Sequence, residues 1–446
     1  MDASVTRVVH EPGGLPQRGG VSTHDAARPS VAIVGSGIAG LTAAYLLSRT
    51  HRVALFEAEQ RLGGHAHTHD IVDSDDHPHA VDTGFIVHNN MTYPLLSRLF
   101  RELGVEVRAT EMSMSVRCEG CGLEYAGGRG LRGIFAQPQR VSDRRFVRML
   151  REVKQFHRSA SAFLRTSRDD DLSTYGQFLQ REGFSGFFVA HYAIPVVSCV
   201  WSAGQESALT YPARYLFQFL DHHRMLRVTG SPQWYHVVGG SRTYVERIRT
   251  HLGDVRTGRA VTDITRRRDV VEIRDIAGQV TYVDRVVIAT HADQALSLLT
   301  DPTDAEVTVL KAFGYSTNHT LLHTDRSVLP RAGSARASWN YRLRSCDRLD
   351  QPAVVTYWMN RLQGLRSRDS FLVTLNDGAR VAGGQVIANM EYQHPIYTPE
   401  AVQAQSRLCE LATDRTVYAG AYHGWGFHED GCRSGVAAAG HFGVTW

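Results

Sequence analysis

Three glycines near the start of the chain have the spacing of a phosphate-binding turn. Gly35-x-Gly37-x-x-Gly40 follows the apolar run 31–34 and opens a stretch whose apolar residues recur at helical spacing. The glycines permit a tight turn, close approach of a pyrophosphate and close packing of a helix on a sheet. Glu57 ends the next apolar run, 22 residues after Gly35, where a carboxylate can accept hydrogen bonds from ribose hydroxyls. The pattern therefore predicts a βαβ unit that binds a dinucleotide.

A second glycine motif, just after Glu57, narrows the kind of dinucleotide. In Arg61-Leu-Gly-Gly64 a basic residue and paired glycines suit a loop that returns to the pyrophosphate. At this point the sequence resembles the superfamily of flavin-containing amine oxidases and phytoene desaturases, whose members carry an Arg-x-Gly-Gly element here. The resemblance implies FAD as the cofactor.

The resemblance extends from about Val31 to Gly440. Residues 284–290 resemble the superfamily's strand that leads back to the cofactor, and residues 417–420 and 430–435 resemble its C-terminal flavin-contacting strand and helix. By the same similarity, the backbone of Val261 is expected at the adenine. The motifs and the resemblance together imply that FAD contacts Gly35, Ser36, Gly37, Ala39, Gly40, Glu57, Ala58, Arg61, Gly63, Gly64, His65, Thr83, Gly84, Val261, Ala289, Gly420, Glu429 and Asp430.

Several longer segments resemble a bacterial group of predicted NAD/FAD-binding oxidoreductases associated with cyclopropane-fatty-acyl synthases. These segments include Gly63-Gly-His65, Asp82-Thr-Gly-Phe-Ile86 and residues 356–363 and 426–431. The resemblance implies a hydrophobic small-molecule or acyl substrate. It also implies peripheral contact with lipid and a lipid-modifying enzyme as a partner.

Two departures from the superfamily bear on the mechanism. Amine oxidases commonly place a lysine, which holds a water against the flavin and assists reaction with oxygen, at the position that corresponds to Asn318. The whole chain contains only Lys154 and Lys311. The superfamily's acid after the C-terminal Ala-Gly is replaced by Ala421. Both departures disfavour simple amine oxidation.

The catalytic candidates lie mainly in the C-terminal motif. His428 stands three residues before Gly431, where the resemblance implies one of two aromatic rings that flank the substrate, and Trp425 is nearby. His428 could act as a general base or as a hydrogen-bond donor to the flavin. For Glu429 and Asp430, capping of the final helix is an alternative to cofactor contact. The catalytic candidates are His428, Asn318 and Trp425.

No metal site is expected from the sequence. His65, His67 and His69 alternate as they would on one face of a strand, but their place beside the pyrophosphate favours contact with the flavin. Cys118-Glu-Gly-Cys121 lacks the second pair or the histidines of a zinc module, and is interpreted as a glycine-containing hairpin turn.

Length and composition set the architecture. A chain of 446 residues is longer than a single hydrophobic core usually accommodates, so more than one domain is expected. The net charge is only +4 and the arginines are scattered, so nucleic acid is not expected as a partner. The chain has no apolar run of about 18 residues and is expected to be cytoplasmic without a transmembrane segment. Apolar spacing predicts helices at 93–103, 146–164 and 175–182.

The predicted fold class is α/β. A discontinuous Rossmann-like FAD-binding domain of the GR2 type carries an inserted α+β substrate domain and a helical cap. The expected boundaries are a disordered leader at 1–29, an FAD-binding domain at 30–84, 236–299 and 413–446, and a substrate and cap domain at 85–235 and 300–412.

These features together predict an FAD-dependent oxidoreductase that abstracts hydride from a hydrophobic substrate, by desaturation or double-bond isomerisation of an acyl-type molecule. Two alternatives stay open. One is a flavin amine oxidase that uses oxygen, and the other is a non-catalytic flavin-binding partner of a lipid-modifying enzyme.

Overall fold

The computed structural model describes residues 28–227, 229–347 and 352–446. The leader predicted at 1–29 lies outside the described residues except for its last two positions. The strands are β1 Ser30–Val34, β2 Arg52–Phe56, β3 Thr68–Val72, β4 Pro78–Asp82, β5 His88–Asn89, β6 Val107–Thr110, β7 Met114–Cys118, β8 Glu124–Gly127, β9 Trp234–Val237, β10 Asp254–Arg256, β11 Val261–Arg266, β12 Val271–Asp275, β13 Val280–Val283, β14 Arg285–Ile288, β15 Gly314–His323, β16 Trp339–Leu343, β17 Val354–Trp358, β18 Leu372–Leu375, β19 Val386–Ile396 and β20 Thr416–Tyr418.

The α-helices alternate with these strands at both ends of the chain and gather in its middle. They are α1 Ile38–Leu47, α2 Pro94–Glu102, α3 Gly130–Ile134, α4 Arg144–Thr166, α5 Tyr175–Arg181, α6 Gly186–Phe188, α7 Ile194–Trp201, α8 Gln205–Thr210, α9 Ala213–His222, α10 Arg242–Arg249, α11 Ala292–Leu298, α12 Asp304–Leu310, α13 Met359–Leu362, α14 Pro399–Gln405 and α15 His428–His441.

A five-stranded parallel sheet forms the first layer, in the order β10-β2-β1-β14-β20. Parallel strands are covered on both faces, which explains why residues 31–34 are all apolar and buried. Helices α1 and α15 pack on one face, while the β11-β12-β13 meander and helices α11 and α12 cover the other. Strands from four separated stretches of chain thus build a discontinuous Rossmann-like sheet, and the predicted α/β fold class is confirmed.

A seven-stranded sheet forms the second layer, in the order β19-β15-β18-β17-β16-β7-β8. Its strands pair antiparallel except for β7 and β16, which run parallel although more than 200 residues separate them. Helices α4 to α9 form a cap whose aromatic side chains pack against this sheet. The predicted helices are confirmed as α2, α4 and α5, with ends within a few residues of the predicted ones.

Within the described part of the chain, no helix combines the length and the apolar character needed to cross a bilayer.

Candidate active site

One cavity of about 1060 Å³ lies between the two sheets and reaches under the helical cap. It begins at the carboxyl ends of β1 and β2, where open α/β sheets bind their ligands. We call the region around Gly35, Glu57 and Arg61 the cofactor end. Of the residues predicted from the sequence, the cavity is lined by Gly35, Ser36, Gly37, Ala39, Glu57, Ala58, Arg61, Gly64, His65, Thr83, Gly84, Val261, Ala289, Gly420 and His428.

The glycine turn between β1 and α1 is a close-packed cradle. Gly35 has a φ of +100°, and a Cβ there would lie 2.7 Å from the carbonyl oxygen of Ala289. A Cβ on Gly40 would clash with the carbonyl oxygen of Gly35, so Gly40 permits helix packing without lining the cavity itself. A Cβ on Gly64 would lie 3.2 Å from the Cα of Gly37. Backbone from two loops therefore meets around the first turn of α1.

Glu57 is fixed at the end of β2. Its Oε2 accepts hydrogen bonds from the Ser36 main-chain nitrogen at 2.9 Å and the Ser36 hydroxyl at 2.5 Å. Its Oε1 accepts from the Glu59 nitrogen at 2.9 Å. A carboxylate held in this way beside the glycine turn can accept further hydrogen bonds from the hydroxyls of a ribose.

The loop after Glu57 is braced by Arg61. Its guanidinium donates to the carbonyl oxygen of Gly64 at 2.7 Å and pairs with Glu59 at 3.0 Å. The Gly63 nitrogen donates to the Ser36 carbonyl oxygen at 3.1 Å, with a φ of +114° at Gly63. Gly63 thus sets the conformation of the loop without lining the cavity, whereas Arg61 and Gly64 line it.

These residues fit a flavin dinucleotide. The first N–H groups of α1 have no partner within the helix and carry the positive end of its dipole, which suits a pyrophosphate. Side chains are missing at the glycine positions where a Cβ would crowd neighbouring backbone. The cavity, at about 1060 Å³, exceeds the usual range for ligand sites of about 300–1,000 Å³, and it extends beyond the cofactor end to the region under the helical cap.

Buried histidines gather beyond the cofactor end. The His65 ring lies 5.1 Å from the Tyr392 ring and 5.3 Å from the His394 ring, and its Nε2 is buried without a hydrogen-bond partner. Burial lowers the pKa of His394 to about 4 and that of His65 well below its ordinary value. Both rings are therefore neutral at physiological pH and can offer either a donor or an acceptor nitrogen to a bound molecule.

His428 is the predicted catalytic residue that does line the cavity. Its ring stacks on Phe85 with centroids 3.7 Å apart, and its Nε2 lies 3.3 Å from the Tyr244 hydroxyl. Burial, and to a smaller extent His88, lower the pKa of His428 to about 3. A ring that releases its proton so readily is a weak base at neutral pH. The geometry therefore favours the hydrogen-bonding role for His428 over the general-base role.

Asn318 and Trp425 are not among the residues that line the cavity. The Asn318 amide nitrogen is 3.3 Å from His394 Nδ1, and its oxygen accepts from Asn376 at 2.9 Å. Asn318 therefore sits behind His394 and can position it. The Trp425 ring instead packs among aromatic rings of helix α9, including Phe219 at 5.9 Å.

The side chains of Glu429 and Asp430, which the sequence predicted to contact the cofactor, make other contacts. Glu429 accepts from the main-chain nitrogens of Leu95 and Leu96 at 3.0 and 2.9 Å, so it caps α2. Asp430 accepts from the Phe427 nitrogen at 3.0 Å and from Arg433 at 2.6 Å, at the start of α15. Neither side chain lines the cavity. Both carboxylates accept hydrogen bonds from main-chain nitrogens at the start of a helix, which is the capping role that the sequence left open. Glu429, however, caps α2 and not the final helix α15.

Several residues that line the rest of the cavity were not predicted from the sequence. Tyr392 and His394 alternate on β19, and His291 begins α11. The alternation of Tyr392 and His394 along β19 was the one local signal that could have indicated them. Their contacts with His65 join distant parts of the chain, which local patterns do not reveal. We call the apolar region under the cap the cap end; it is lined by Met112, Met114, Val196, Val200, Trp201, Phe219, Trp339, Tyr357 and Leu375.

Solved structures with this fold include a CLA-producing fatty acid isomerase from P. acnes, with a TM-score of 0.67 and 15% identity over 93% of this chain and 99% of that one. A cyclohexylamine oxidase from Brevibacterium oxydans has a TM-score of 0.65 and 15% identity, over 93% of this chain and 98% of that one. A putrescine oxidase bound to putrescine has a TM-score of 0.65 and 13% identity with the same coverage. At these identities the likeness concerns the fold alone.

No curated protein matches the sequence. Residues 38–361 match the family described as flavin containing amine oxidoreductase, which is well over half of the chain. This span includes the first turn of α1, the Arg61 loop, the helical cap and most of the seven-stranded sheet. The protein is a flavin-dependent oxidoreductase that belongs to the flavin containing amine oxidoreductase family.

Proposed function

We propose that the protein binds FAD and abstracts hydride from an uncharged, apolar, acyl-type substrate, in a desaturation or a double-bond isomerisation. FAD is favoured over a mononucleotide because the cofactor end continues past the glycine turn to Glu57 and Val261. The Arg259 nitrogen donates to the Glu57 carbonyl oxygen at 2.9 Å, which holds the Val261 segment beside β2. That position suits a ribose and an adenine.

The observation that carries the choice of substrate is the distribution of charge along the cavity. The lysine, arginine, aspartate and glutamate side chains that line it in the described residues are Glu57, Glu59, Arg61 and Glu391. The first three belong to the cofactor end. Glu391 is about half exposed and lies 3.6 Å from His319 at the surface. The cap end therefore offers no carboxylate to pair with an amine cation, whose burial without a partner is unfavourable.

The chain's own residues supply the environment for the reaction. When bound, FAD supplies the two-electron chemistry. The aromatic and aliphatic side chains of the cap end bury an alkyl chain and exclude water. His65, His394 and His428 stay neutral at physiological pH, so they can orient a polar group without adding charge.

Reaction with oxygen is expected to be slow. Neither Lys154 nor Lys311 lines the cavity, and both side chains lie at the surface. The position that the resemblance assigns to the oxygen-assisting lysine holds Asn318, which bonds to its neighbours behind His394. The proposal is compatible with the fold shared with a fatty acid isomerase.

The test is an anaerobic reaction of the purified flavoprotein with esters of unsaturated fatty acids, which carry no charge, and separately with cyclohexylamine and putrescine. We expect either bleaching of the flavin or a new conjugated-diene absorbance with the acyl compounds. Bleaching by the amines, followed by peroxide formation in air, would instead support an amine oxidase. No reaction with either class, together with tight binding to a lipid-modifying enzyme, would support a non-catalytic role.

A further inference from the structure

A cluster of three cysteines and one histidine lies at the seven-stranded sheet, among side chains of the helical cap. It consists of Cys118, Cys121, His191 and Cys346, whose ligand atoms all lie within 4.8 Å of one another. Cys118 and Cys121 belong to the hairpin between β7 and β8, which confirms the predicted turn. Cys346 follows β16, and His191 belongs to a π-helical turn at Val189–Ala193. The fold thus brings together residues that the sequence separates by up to 228 positions.

Two distances within the cluster are close to those between metal ligands, and the remaining ones do not exceed 4.8 Å. Cys118 Sγ lies 3.4 Å from Cys346 Sγ, and Cys121 Sγ lies 3.3 Å from His191 Nε2. Around a tetrahedral zinc ion, bonds of about 2.3 Å to sulfur and about 2.0 Å to nitrogen separate the ligands by about 3.5–3.8 Å. Only small side-chain adjustments are needed to match this geometry. The sulfur separation is far longer than a disulfide bond of about 2.05 Å.

His191 is oriented for such a role. Its Nδ1 lies 2.9 Å from the Phe187 carbonyl oxygen, to which it can donate its hydrogen. That tautomer leaves the Nε2 lone pair directed at Cys121, as the outer hydrogen bond of a metal-bound histidine usually does. The Phe187 ring lies 4.1 Å from the imidazole, and His191 is fully buried. The π-helical turn that carries His191 is a rare conformation that often marks functional sites.

The surroundings allow the ligands to converge. A Cβ on Gly120 would lie 3.2 Å from the Cα of Ser345 and 3.6 Å from Cys346 Sγ, so a glycine lets the hairpin pack against the segment after β16. Arg140 donates to the Cys121 carbonyl oxygen at 2.7 Å and pairs with Asp143 at 2.7 Å, which ties the hairpin to the start of α4.

We propose that Cys118, Cys121, His191 and Cys346 form a structural zinc site. Four protein ligands complete a tetrahedral shell and leave no open position, which is the arrangement of structural sites rather than catalytic ones. Binding joins β7, the segment after β16 and the helical cap through one ion. Helix α7 begins three residues after His191 and supplies Val196, Val200 and Trp201 to the cap end. The ion therefore holds in place helix α7, which lines part of the cap end of the cavity.

The first experiment measures metal in the full-length protein purified without chelator or metal-affinity resin. We expect about one zinc per chain, falling to less than about 0.1 in Cys346→Ser and His191→Gln. Cys409→Ser is the matched control, because this exposed cysteine lies outside the cluster, and it should retain full zinc content. Absence of zinc with no uptake of added zinc would overturn the proposal, as would unchanged zinc in the two cluster variants.

A second measurement on the wild-type protein guards against variants that fail to fold. After zinc is exchanged for cobalt, a tetrahedral site with three thiolates should give intense visible bands at longer wavelengths than the flavin absorption. Mass spectrometry after alkylation under denaturing conditions should find all six cysteines reduced. Weak octahedral cobalt bands would overturn the proposal, and so would a disulfide between Cys118 and either Cys121 or Cys346.

Discussion

At the residue scale, the cofactor end depends on one carboxylate that is already well bonded. Glu57 accepts hydrogen bonds from the Ser36 main chain and hydroxyl and from the Glu59 main chain. A ribose hydroxyl would add a further bond to the same charged group, and bonds to charged acceptors are stronger than neutral ones. We therefore expect Glu57 to link the shape of the glycine turn to the binding of the proposed FAD.

Glu57→Gln should weaken FAD binding about tenfold, or about 1.4 kcal/mol, because the amide offers one neutral acceptor in place of two charged oxygens. Affinity can be measured by fluorescence as FAD is added to the apoprotein, with circular dichroism to show that the fold is intact. Glu106→Gln is a control on an exposed glutamate far from the cavity lining. Unchanged affinity in Glu57→Gln would refute the ribose assignment.

The sequence predicts this end of the cavity well because its residues belong to local motifs. Gly35, Gly37 and Glu57 are fixed by one βαβ unit, so their spacing determines where they meet. Neighbours in sequence are a poorer guide elsewhere. His428 lines the cavity while Glu429, the next residue on α15, points away and caps α2. Which side of a helix faces a ligand depends on tertiary packing.

At the element scale, α1 and α15 pack unusually closely through glycines. A Cβ on Gly431 would lie 2.6 Å from Ile38 Cγ2, and a Cβ on Gly435 would clash with the Ala39 carbonyl oxygen. Helix α15 thereby supports the helix whose first turn faces the cofactor. The C-terminal segment thus supports the glycine turn through this packing, in addition to lining the cavity with residues such as Gly420 and His428.

Gly435→Ala should destabilise the protein by about 1–3 kcal/mol, because the added methyl forces α15 away from α1. Gly440→Ala is a matched control in the same helix, since a Cβ there meets nothing within 4 Å. The control should be neutral or stabilised by about 0.5–1 kcal/mol. Urea unfolding compares the two variants. Equal free energies of unfolding would contradict the close packing.

Local periodicity predicts elements but not their partners. The apolar spacing in 146–164 predicts α4, since one face of that helix is buried on the cap's aromatic core. No local signal predicts that β7 pairs with β16, or that Cys118 therefore approaches Cys346. The cysteine pair in the hairpin consequently looks like a simple turn until the sheet is assembled.

At the scale of the whole molecule, the two sheets form different ends of the cavity. The parallel sheet carries the cofactor end, and the seven-stranded sheet with its cap encloses the apolar cap end. Burial keeps several histidines neutral, and three of them, His223, His394 and His428, line the cavity. Burial lowers the pKa of His223, His394 and His423 to about 4, and that of His428 to about 3.

The free energy of unfolding should fall as the pH is lowered from 7 to 6. The unfolded chain binds protons at these histidines near pH 6.5, whereas the native protein does not until the pH approaches 4 or 3. Each histidine that stays neutral in the native state therefore lowers the free energy of unfolding by about 0.7 kcal/mol between pH 7 and pH 6. The opposite contribution of Asp82, whose pKa burial raises to about 6, develops mainly below this range.

Calorimetry at the two pH values measures the change, with a melting temperature lower at pH 6 as the expected result. His423→Gln should reduce the pH dependence by removing one of the titrating groups. A stability that is constant or higher at pH 6 would contradict neutral burial of the histidines.

The measurement that tests the central claim most directly compares two ligands that share an alkyl chain, one with an uncharged head group and one with a cationic head group. A long-chain unsaturated methyl ester and the primary amine with the same carbon chain are titrated anaerobically into the FAD-loaded protein, and binding is followed by the flavin spectrum. Because the cap end lacks a carboxylate, we expect the ester to bind at least about tenfold more tightly than the protonated amine. Equal or tighter binding of the amine, or reduction of the flavin by it alone, would contradict the proposed substrate class.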